Sequence, residues 1–318
     1  MSAKFIVSLF NAFAIRKVID SDRALVYATA PHHTARLKAL PFYSFRVVGH
    51  NEHGRITITV DQSVSRTDAR TLATPAWFQV QRDSRAHFRL FCFPYAGGSS
   101  AIYRPWSRQI HPDIEVVPAV LPGREFRLRE PAYTRIEPLV EALAREIFPH
   151  LDRPFALFGH SMGAMISFEL ARRLRSEHGI EPDHLFVSGR RAPQLPETDP
   201  QIHDLPEAEF KAEVERLNGT PKEVLEHAEL MEMLIPMLRA DFSICHTYTY
   251  VPGAPLACPI TAIGGTKDET ANQTKLEGWC EQTTGRCRIR MLEGDHFFIN
   301  QQHAAILRII AETLLAHS

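Results

Sequence analysis

The chain has 318 residues, 44% of them hydrophobic and 23% charged, which is typical of a soluble globular protein. Its 36 Lys and Arg balance 37 Asp and Glu, so a net charge of −1 gives no general attraction to nucleic acid or to an anionic membrane surface. No apolar run approaches the roughly 18 residues that a membrane-spanning helix needs. We therefore expect neither a nucleic-acid-binding nor a membrane protein.

The use of cysteine favours a reducing cytoplasm. The chain has five cysteines and no Cys-x-x-Cys pair; they are Cys92, Cys245, Cys258, Cys280 and Cys287. This odd count predicts neither a disulfide framework nor a zinc site. The apolar segment at residues 4–15 is interrupted by Ser8 and Asn11 and followed by Arg16-Lys17, so we do not expect a secretory signal.

Residues 1–75 differ from the rest of the chain and form an N-terminal extension of unknown role. Within it, "FRVVG" and "RITITV" flank "HNEHG". Alternation of Thr and Ile is typical of a strand and Gly54 can turn the chain, so this pattern predicts a β-hairpin. The histidine pairs of this segment, at 32 and 33 and at 50 and 53, have no acidic or cysteine partner at ligand spacing, which favours solvated loops over a metal site.

From residue 76 to 318, short apolar strands alternate with amphipathic helices. The predicted strands lie at 88–93, 114–121, 154–159, 184–189, 258–265 and 287–292. The predicted helices lie at 102–110, 135–148, 162–179, 272–283 and 304–317. This alternation predicts an α/β fold, with a mostly parallel sheet covered by helices on both faces.

A helical insertion at about residues 195–250 breaks the alternation. Two helices are predicted there, at 207–218 and 223–242, and an insertion near the carboxyl edge of the sheet is placed to act as a lid. The second helix contains Met231, Met233 and Met237 with Phe242. These side chains either pack the lid onto the domain or form a flexible apolar wall for an acyl chain, and we predict Met231, Met237 and Phe242 as substrate-binding residues.

The stretch "ALFGHSMGAM" (156–165) places Ser161 between two glycines, after an apolar strand and before a helix. This is the context of a nucleophile elbow, in which a strained turn exposes the serine hydroxyl. A base and an acid should then follow at later strand ends. His296 and Asp268 occupy such positions, as base and as the acid that orients it. Asp295 and Asp241 are weaker candidates for the acid, and His160 is expected to have a structural role.

A serine nucleophile of this kind also needs backbone N–H groups that stabilise the oxyanion. The first residue of the helix after the elbow, Met162, supplies one. The glycine loop "PYAGGSS" after the first strand supplies the other, which we assign to Ala96. No residue pattern indicates a metal or an organic cofactor, and this chemistry needs none.

Seven segments resemble, in chain order, the type II thioesterases that accompany polyketide synthases and nonribosomal peptide synthetases. They are "LFCFPYAGGSS", "LPGRE", "FALFGHSMGA", "SGRRAP", "LRADFSICHTY", "ITAIGGTKDE" and "GDHFF", within residues 75–317. The resemblance implies an α/β-hydrolase fold. It also implies hydrolysis of acyl groups from the phosphopantetheine arm of acyl or peptidyl carrier proteins, an editing role, with Ser161, Asp268, His296, Ala96 and Met162 in the roles given above.

Two other functions remain open. A carboxylesterase or an acyltransferase would use the same catalytic parts, and a noncatalytic carrier-protein-binding module would retain them without turnover. We expect a cytoplasmic monomer whose partner is a carrier protein. Arg190-Arg191, with Arg124 and Arg127, either dock the acidic surface of that partner or are solvated loop residues.

Overall fold

The computed structural model describes residues 16–20, 23–28, 44–50, 56–61, 76–81, 85–197, 199–217, 219 and 222–316. The chain divides into two compact units, Met1–Ala73 and Thr74–Ser318. We predicted a boundary between residues 75 and 76. We assign no function to the first unit.

The first unit contains a four-stranded antiparallel sheet with the order β1-β2-β4-β3. Its strands are β1 (Arg16–Asp20), β2 (Arg23–Ala28), β3 (Ser44–His50) and β4 (Ile56–Asp61). Val47 pairs with Ile58 in the β3–β4 ladder, which confirms the predicted hairpin strands. The loop expected at residues 51–55, with His53, and the histidines at 32 and 33 lie outside the described residues.

The second unit is built on six parallel strands, as predicted. They are β5 (Phe88–Phe93), β6 (Ile114–Pro118), β7 (Phe155–His160), β8 (His184–Ser188), β9 (Ile260–Gly265) and β10 (Cys287–Leu292). Their order is β10-β9-β8-β7-β5-β6. Because all six strands run in one direction, the loops that follow them meet at a single edge of the sheet.

Alternate residues of each strand pack on opposite faces, as the two-residue period requires. In β5, Phe91 and Phe93 join the core cluster that contains Leu139 and Ile166, whereas Leu90 and Cys92 join the cluster with Ile306 and Ile310; this places helices on both faces.

The helices of the sheet layers are α1 (Ile136–Ile147), α2 (Met162–His178), α6 (Gln273–Glu277) and α7 (His303–Leu315). The predicted helix at 102–110 is wrong, because the chain there forms only 3-10 turns at Ser100–Ile102 and Trp106–Arg108. The predicted helix at 272–283 is half right, since α6 passes at Gly278 into a 3-10 turn. No helix in the described part of the chain is long and apolar enough to cross a bilayer.

Between β8 and β9 lie the helices of the predicted lid, α3 (Glu207–Arg216), α4 (Lys222–Leu225) and α5 (Ala228–Thr247). We predicted a single helix over 223–242, but the chain breaks at His227. The backbone of His227 is extended, and its Nδ1 accepts a hydrogen bond from the Leu230 N–H at 3.4 Å, which caps α5. Helix α5 then continues five residues beyond the predicted end.

The structure contains one disulfide, between Cys280 and Cys287. Our expectation from the odd cysteine count is therefore wrong for this pair. The 3-10 turn after α6 and the first residue of β10 approach to a Cα–Cα distance of 5.3 Å, which is within the range that a disulfide spans. Cys92, Cys245 and Cys258 are buried free thiols.

Gly179 ends helix α2 with a left-handed backbone (φ 67°), and an added Cβ would meet nothing within 4 Å. Gly179→Ala should therefore lower the free energy of unfolding by about 1 kcal/mol through backbone strain alone. Urea denaturation measures this, with Ser176→Ala on the exposed face of the same helix as the control. Equal stability of Gly179→Ala and Ser176→Ala would contradict the backbone strain expected at position 179.

Candidate active site

Ser161 occupies the sharp turn between strand β7 and helix α2. Its φ of 54° and ψ of −112° lie outside the favoured regions for a residue with a side chain. The Ser161 N–H donates to the Ser188 carbonyl on the neighbouring strand at 2.7 Å, which helps to hold the strained turn in place. The partly exposed side chain lines a cavity, so the predicted elbow presents a hydroxyl that a substrate can reach.

The two glycines of the motif are required by close packing across this turn. A Cβ at position 159 would lie 1.9 Å from the Gly163 carbonyl oxygen, and one at position 163 would lie 2.0 Å from the carbonyl oxygen of Phe93. Both distances are shorter than any real contact of a methyl group with an oxygen. Only glycine therefore allows helix α2 to begin this close to the end of strand β5.

The structure brings Ser161, His296 and Asp268 into one hydrogen-bonded line. His296 Nε2 lies 3.0 Å from Ser161 Oγ, and His296 Nδ1 lies 2.8 Å from Asp268 Oδ2. The carboxylate at Nδ1 favours the tautomer that carries its proton there, which leaves Nε2 free to accept the serine proton. This is the geometry of a serine nucleophile with its base, and of a base oriented by an acid.

Asp268 is held as a carboxylate by its surroundings. Burial raises its pKa, but the hydrogen bond and charge of His296, with hydrogen bonds from Thr270 and Ala271, outweigh burial and hold the pKa below its usual value. Asp268 Oδ1 accepts from Thr270 Oγ1 at 2.7 Å and from the Thr270 N–H at 3.0 Å. We did not identify Thr270 from the sequence, where its place two residues after Asp268 is the only signal.

The two weaker candidates for the acid do not contact His296 through their carboxylates. Asp241 binds Arg124 with both carboxylate oxygens and also accepts a hydrogen bond from the Gly97 N–H. The prediction of Asp241 as an alternative acid is therefore wrong. Asp295 Oδ1 accepts from the Phe297 N–H at 2.9 Å in a local turn. Asp268 is the carboxylate that the fold places against the imidazole.

His160 has the structural role expected of it. The ring is fully buried; its Nε2 lies 2.9 Å from the His296 carbonyl oxygen and its Nδ1 lies 2.9 Å from Ser188 Oγ. Since a carbonyl can only accept, Nε2 is the donor and Nδ1 accepts from the Ser188 hydroxyl. Burial and the nearby His296 lower the pKa of His160 to about 3. A neutral imidazole thus anchors the segment that carries the base.

The predicted oxyanion donors both lie near the nucleophile in the fold. Met162 is the first residue of α2 and Ala96 lies in the loop after β5, where it lines the same cavity as Ser161. Among the described residues, neither the Ala96 nor the Met162 N–H donates to a protein acceptor. Their role in stabilising an oxyanion stays a prediction.

A cavity of about 470 Å³ opens from Ser161 and His296 toward the lid. The lid contributes charged side chains to its lining, from Glu197, Asp199 and Arg216, and a group of apolar ones: Ile202, Val214, Leu217, Leu238 and Phe242. Phe242 therefore lies where we predicted a substrate-binding residue. The prediction is wrong for Met231 and Met237, which are buried among Phe210, Val214 and Ile235 inside the lid and do not line the described cavity.

The arginines proposed for docking are paired within the domain. Arg124 and Arg127 are buried, with their guanidinium groups on Asp241 and Glu130. Arg191 is also buried against Glu197, which Arg190 shares. The interpretation as solvated loop residues is therefore wrong for the three buried arginines. The interpretation as a docking surface is wrong for Arg124 and Arg127, which are buried in these pairs, whereas Arg190 and Arg191 line the cavity next to Ser161.

Comparison with known proteins agrees with this architecture. Residues 88–314 match the thioesterase domain family. The linear gramicidin dehydrogenase LgrE of Brevibacillus parabrevis is 48% identical over 237 residues, 74% of this chain and 90% of LgrE. The solved RedJ thioesterase from the prodiginine pathway of Streptomyces coelicolor is 39% identical with a TM-score of 0.68, over 76% of this chain and 91% of RedJ.

The solved type II thioesterase BorB from the borrelidin biosynthetic cluster is 36% identical, with a TM-score of 0.69, over 76% of this chain and 99% of BorB. The likeness to these enzymes confirms the expected α/β-hydrolase fold.

Asp268→Asn should lower kcat by about 10⁴-fold, because the amide no longer fixes the tautomer of His296. Hydrolysis of a p-nitrophenyl ester measures this. Asp295→Asn is the matched control and should retain kcat, since an amide oxygen can still accept from Phe297. A larger loss in the control than in Asp268→Asn would reverse our assignment of the acid.

His160 should make the folded protein less stable in acid. The unfolded side chain takes up a proton near pH 6.5, whereas the folded one does so only at about 3. Between these values the unfolded state binds more protons, so His160 contributes a loss of stability of about 1.4 kcal/mol per pH unit as the pH falls. In urea denaturation from pH 7 to pH 4, His160→Gln should show a shallower decline than the wild type. Parallel curves would contradict this prediction.

Proposed function

Because the chain belongs to the thioesterase family and is thus a thioester hydrolase, we propose that it removes acyl groups from the phosphopantetheine arm of acyl or peptidyl carrier proteins. In this role it would edit misprimed polyketide or nonribosomal peptide synthases. The observation that carries the proposal is the line from Ser161 through His296 to Asp268, beside a cavity that is lined in part by apolar lid side chains.

In the first half of the reaction, Ser161 Oγ attacks the thioester carbonyl while His296 Nε2 takes the serine proton. The negative oxygen of the tetrahedral intermediate is stabilised by the Ala96 and Met162 N–H groups. When the intermediate collapses, the C–S bond breaks, His296 returns the proton to the departing thiolate, and the acyl group remains on Ser161.

In the second half, water replaces the thiol. His296 Nε2 removes a proton from the water, and the hydroxide adds to the acyl carbonyl of the Ser161 ester. The same two N–H groups stabilise the second oxyanion. Collapse releases the carboxylic acid and restores the Ser161 hydroxyl with the proton from His296, so that no cofactor is consumed.

The cavity supports an acyl substrate of moderate size. A volume of about 470 Å³ lies within the range of small-molecule sites, and five apolar side chains of the lid form part of its lining. Phe242 and Leu238 on helix α5 would contact the acyl chain. Met231 and Met237 would act only indirectly, by packing the helices that carry these side chains.

The name of LgrE, a dehydrogenase, does not extend to this chain. A dinucleotide-binding turn needs Gly-x-Gly-x-x-Gly between a strand and a helix, so that the backbone can approach a pyrophosphate. The turn between β7 and α2 instead has Gly159, Ser161 and Gly163, with the serine side chain at the cavity. The similarity to RedJ and BorB, both named thioesterases, supports the proposal of a thioester hydrolase.

We further propose that the enzyme acts as a monomer in the cytoplasm. The triad and both predicted oxyanion donors come from a single chain, so catalysis requires no second subunit. Three buried free thiols suit a reducing compartment, whereas the Cys280–Cys287 disulfide is the feature that weighs against it.

Hydrolysis of an acyl group from a phosphopantetheinylated carrier protein should be faster than hydrolysis of the same acyl group as a simple oxygen ester. The wild type and Ser161→Ala are compared by the release of free carrier thiol. We expect turnover to fall at least 10³-fold in Ser161→Ala because the nucleophile is lost.

Carrier binding by Ser161→Ala is measured in parallel. Equal or better turnover of the oxygen ester would favour a carboxylesterase, and transfer of the acyl group to an alcohol would favour an acyltransferase. Binding of the carrier without turnover by the wild type would favour a noncatalytic binding module.

A further inference from the structure

A buried ion pair joins the lid to the glycine loop beside the nucleophile. Asp241 lies on lid helix α5, and Arg124 lies in the loop after β6. Arg124 Nη2 donates to Asp241 Oδ1 at 2.6 Å, and Arg124 Nη1 donates to Asp241 Oδ2 at 3.0 Å. The Arg124 side chain is 5% exposed and the Asp241 side chain is 2% exposed. The predicted mechanism uses neither residue.

The pair binds the loop at two successive residues, Gly97 and Gly98. Asp241 Oδ2 accepts from the Gly97 N–H at 2.8 Å, and Arg124 Nη1 donates to the Gly98 carbonyl at 2.8 Å. One ion pair thus holds a donor and an acceptor of the same short loop. Because each of these bonds includes a charged group, both are stronger than ordinary loop hydrogen bonds.

These bonds bear on the N–H of Ala96. The Gly98 N–H donates to the Tyr95 carbonyl at 2.8 Å, which closes a tight turn over residues 95–98. The Tyr95 carbonyl and the Ala96 N–H belong to one planar peptide group and point in opposite directions. Whatever fixes the turn therefore fixes the direction of the Ala96 N–H, and the ion pair holds Gly97 and Gly98 inside that turn.

Helix α5 also packs directly on the loop. A Cβ added to Gly97 would lie 2.6 Å from Leu238 Cδ2, so Leu238 is seated against the loop backbone one turn before Asp241. Leu238 and Ala96 line the same cavity as Ser161. Packing by Leu238 and the charge of Asp241 thus tie helix α5 to the same loop residue, Gly97.

A contribution to folding stability does not by itself explain why the fold contains such a pair. A buried ion pair loses much of its attraction to the cost of removing two charges from water. Arg124 Nε, moreover, is buried without a hydrogen-bond partner in the described part of the chain. The arrangement is therefore better explained by the position that it imposes on the loop.

We propose that Asp241 and Arg124 are a positioning pair that aims the Ala96 N–H at the oxyanion, which makes lid helix α5 a structural part of the oxyanion hole. The proposal rests on the function proposed above. It adds that the lid serves transition-state stabilisation as well as acyl binding.

The test compares Asp241→Asn with the wild type on an acyl-pantetheine thioester. The amide has nearly the same shape, but it lacks the charge that holds Arg124. We expect kcat to fall at least tenfold while KM changes less than threefold, since the loss of one oxyanion donor costs about 10²–10³ in rate. An alkyl boronic acid, whose adduct with Ser161 places an anionic oxygen in the hole, should bind at least tenfold more weakly.

Glu115→Gln provides the matched control. Glu115 pairs with Arg89 at 3.1 Å, and both side chains are buried as deeply as the Asp241–Arg124 pair. These residues lie near the amino ends of β5 and β6, away from the site. This variant should lose thermal stability while it retains kcat and affinity for the boronic acid.

Arg124→Lys is the second variant, in case Asp241→Asn does not fold. It retains the charge but cannot bridge Asp241 and Gly98 with a planar fork, and it should reproduce the loss of kcat. Unchanged kcat and boronic acid affinity in a folded variant of either residue would overturn the positioning role. The wild-type rate, compared with Ser161→Ala, tests the proposed function separately.

Discussion

The start of helix α2 packs against the end of strand β5, and the rest of the site depends on this contact. The space between position 163 and the carbonyl of Phe93 is too small for a Cβ. Phe93 is the last residue of β5 and leads directly into the loop with Ala96. A single backbone contact therefore sets the distance between the nucleophile, the first amide of α2 and the glycine loop. No side chain takes part in this contact, so no change of rotamer can alter it.

Around this contact, the fold surrounds the site with polar groups that hydrogen-bond to one another or to the backbone. His160 holds the backbone of His296, Thr270 holds Asp268, and Asp241 with Arg124 holds the loop. Polar groups in a core are costly unless their hydrogen bonds are satisfied, and satisfied networks rigidify their surroundings. The result is a site whose reacting groups sit on loops that hydrogen bonds and an ion pair hold to the rest of the domain.

Much of this could be predicted from the sequence because it depends on local pattern. The strands were identifiable from short apolar runs, and the triad from the order of Ser161, Asp268 and His296 at strand ends. The 3-10 turns at 100–108 escaped prediction because their aromatic residues are spaced like those of a helix. The burial of Arg124 could not be predicted from the sequence, and neither could its pairing with a residue 117 positions away. Local sequence patterns do not indicate which residues form a long-range ion pair.

The position of Asp241 on helix α5 has a consequence for the redesign of substrate range. Exchange of lids between related hydrolases is an obvious way to change the acyl group that an enzyme accepts. In this chain, Leu238, Asp241 and Phe242 lie on consecutive turns of helix α5. A replacement of this helix would therefore change both the shape of the cavity and the attachment of the glycine loop. A graft that alters the helical phase by one residue would turn Asp241 away from the loop by about 100°. Recombination here should therefore keep α5 in register and vary α3 and the segment after β8.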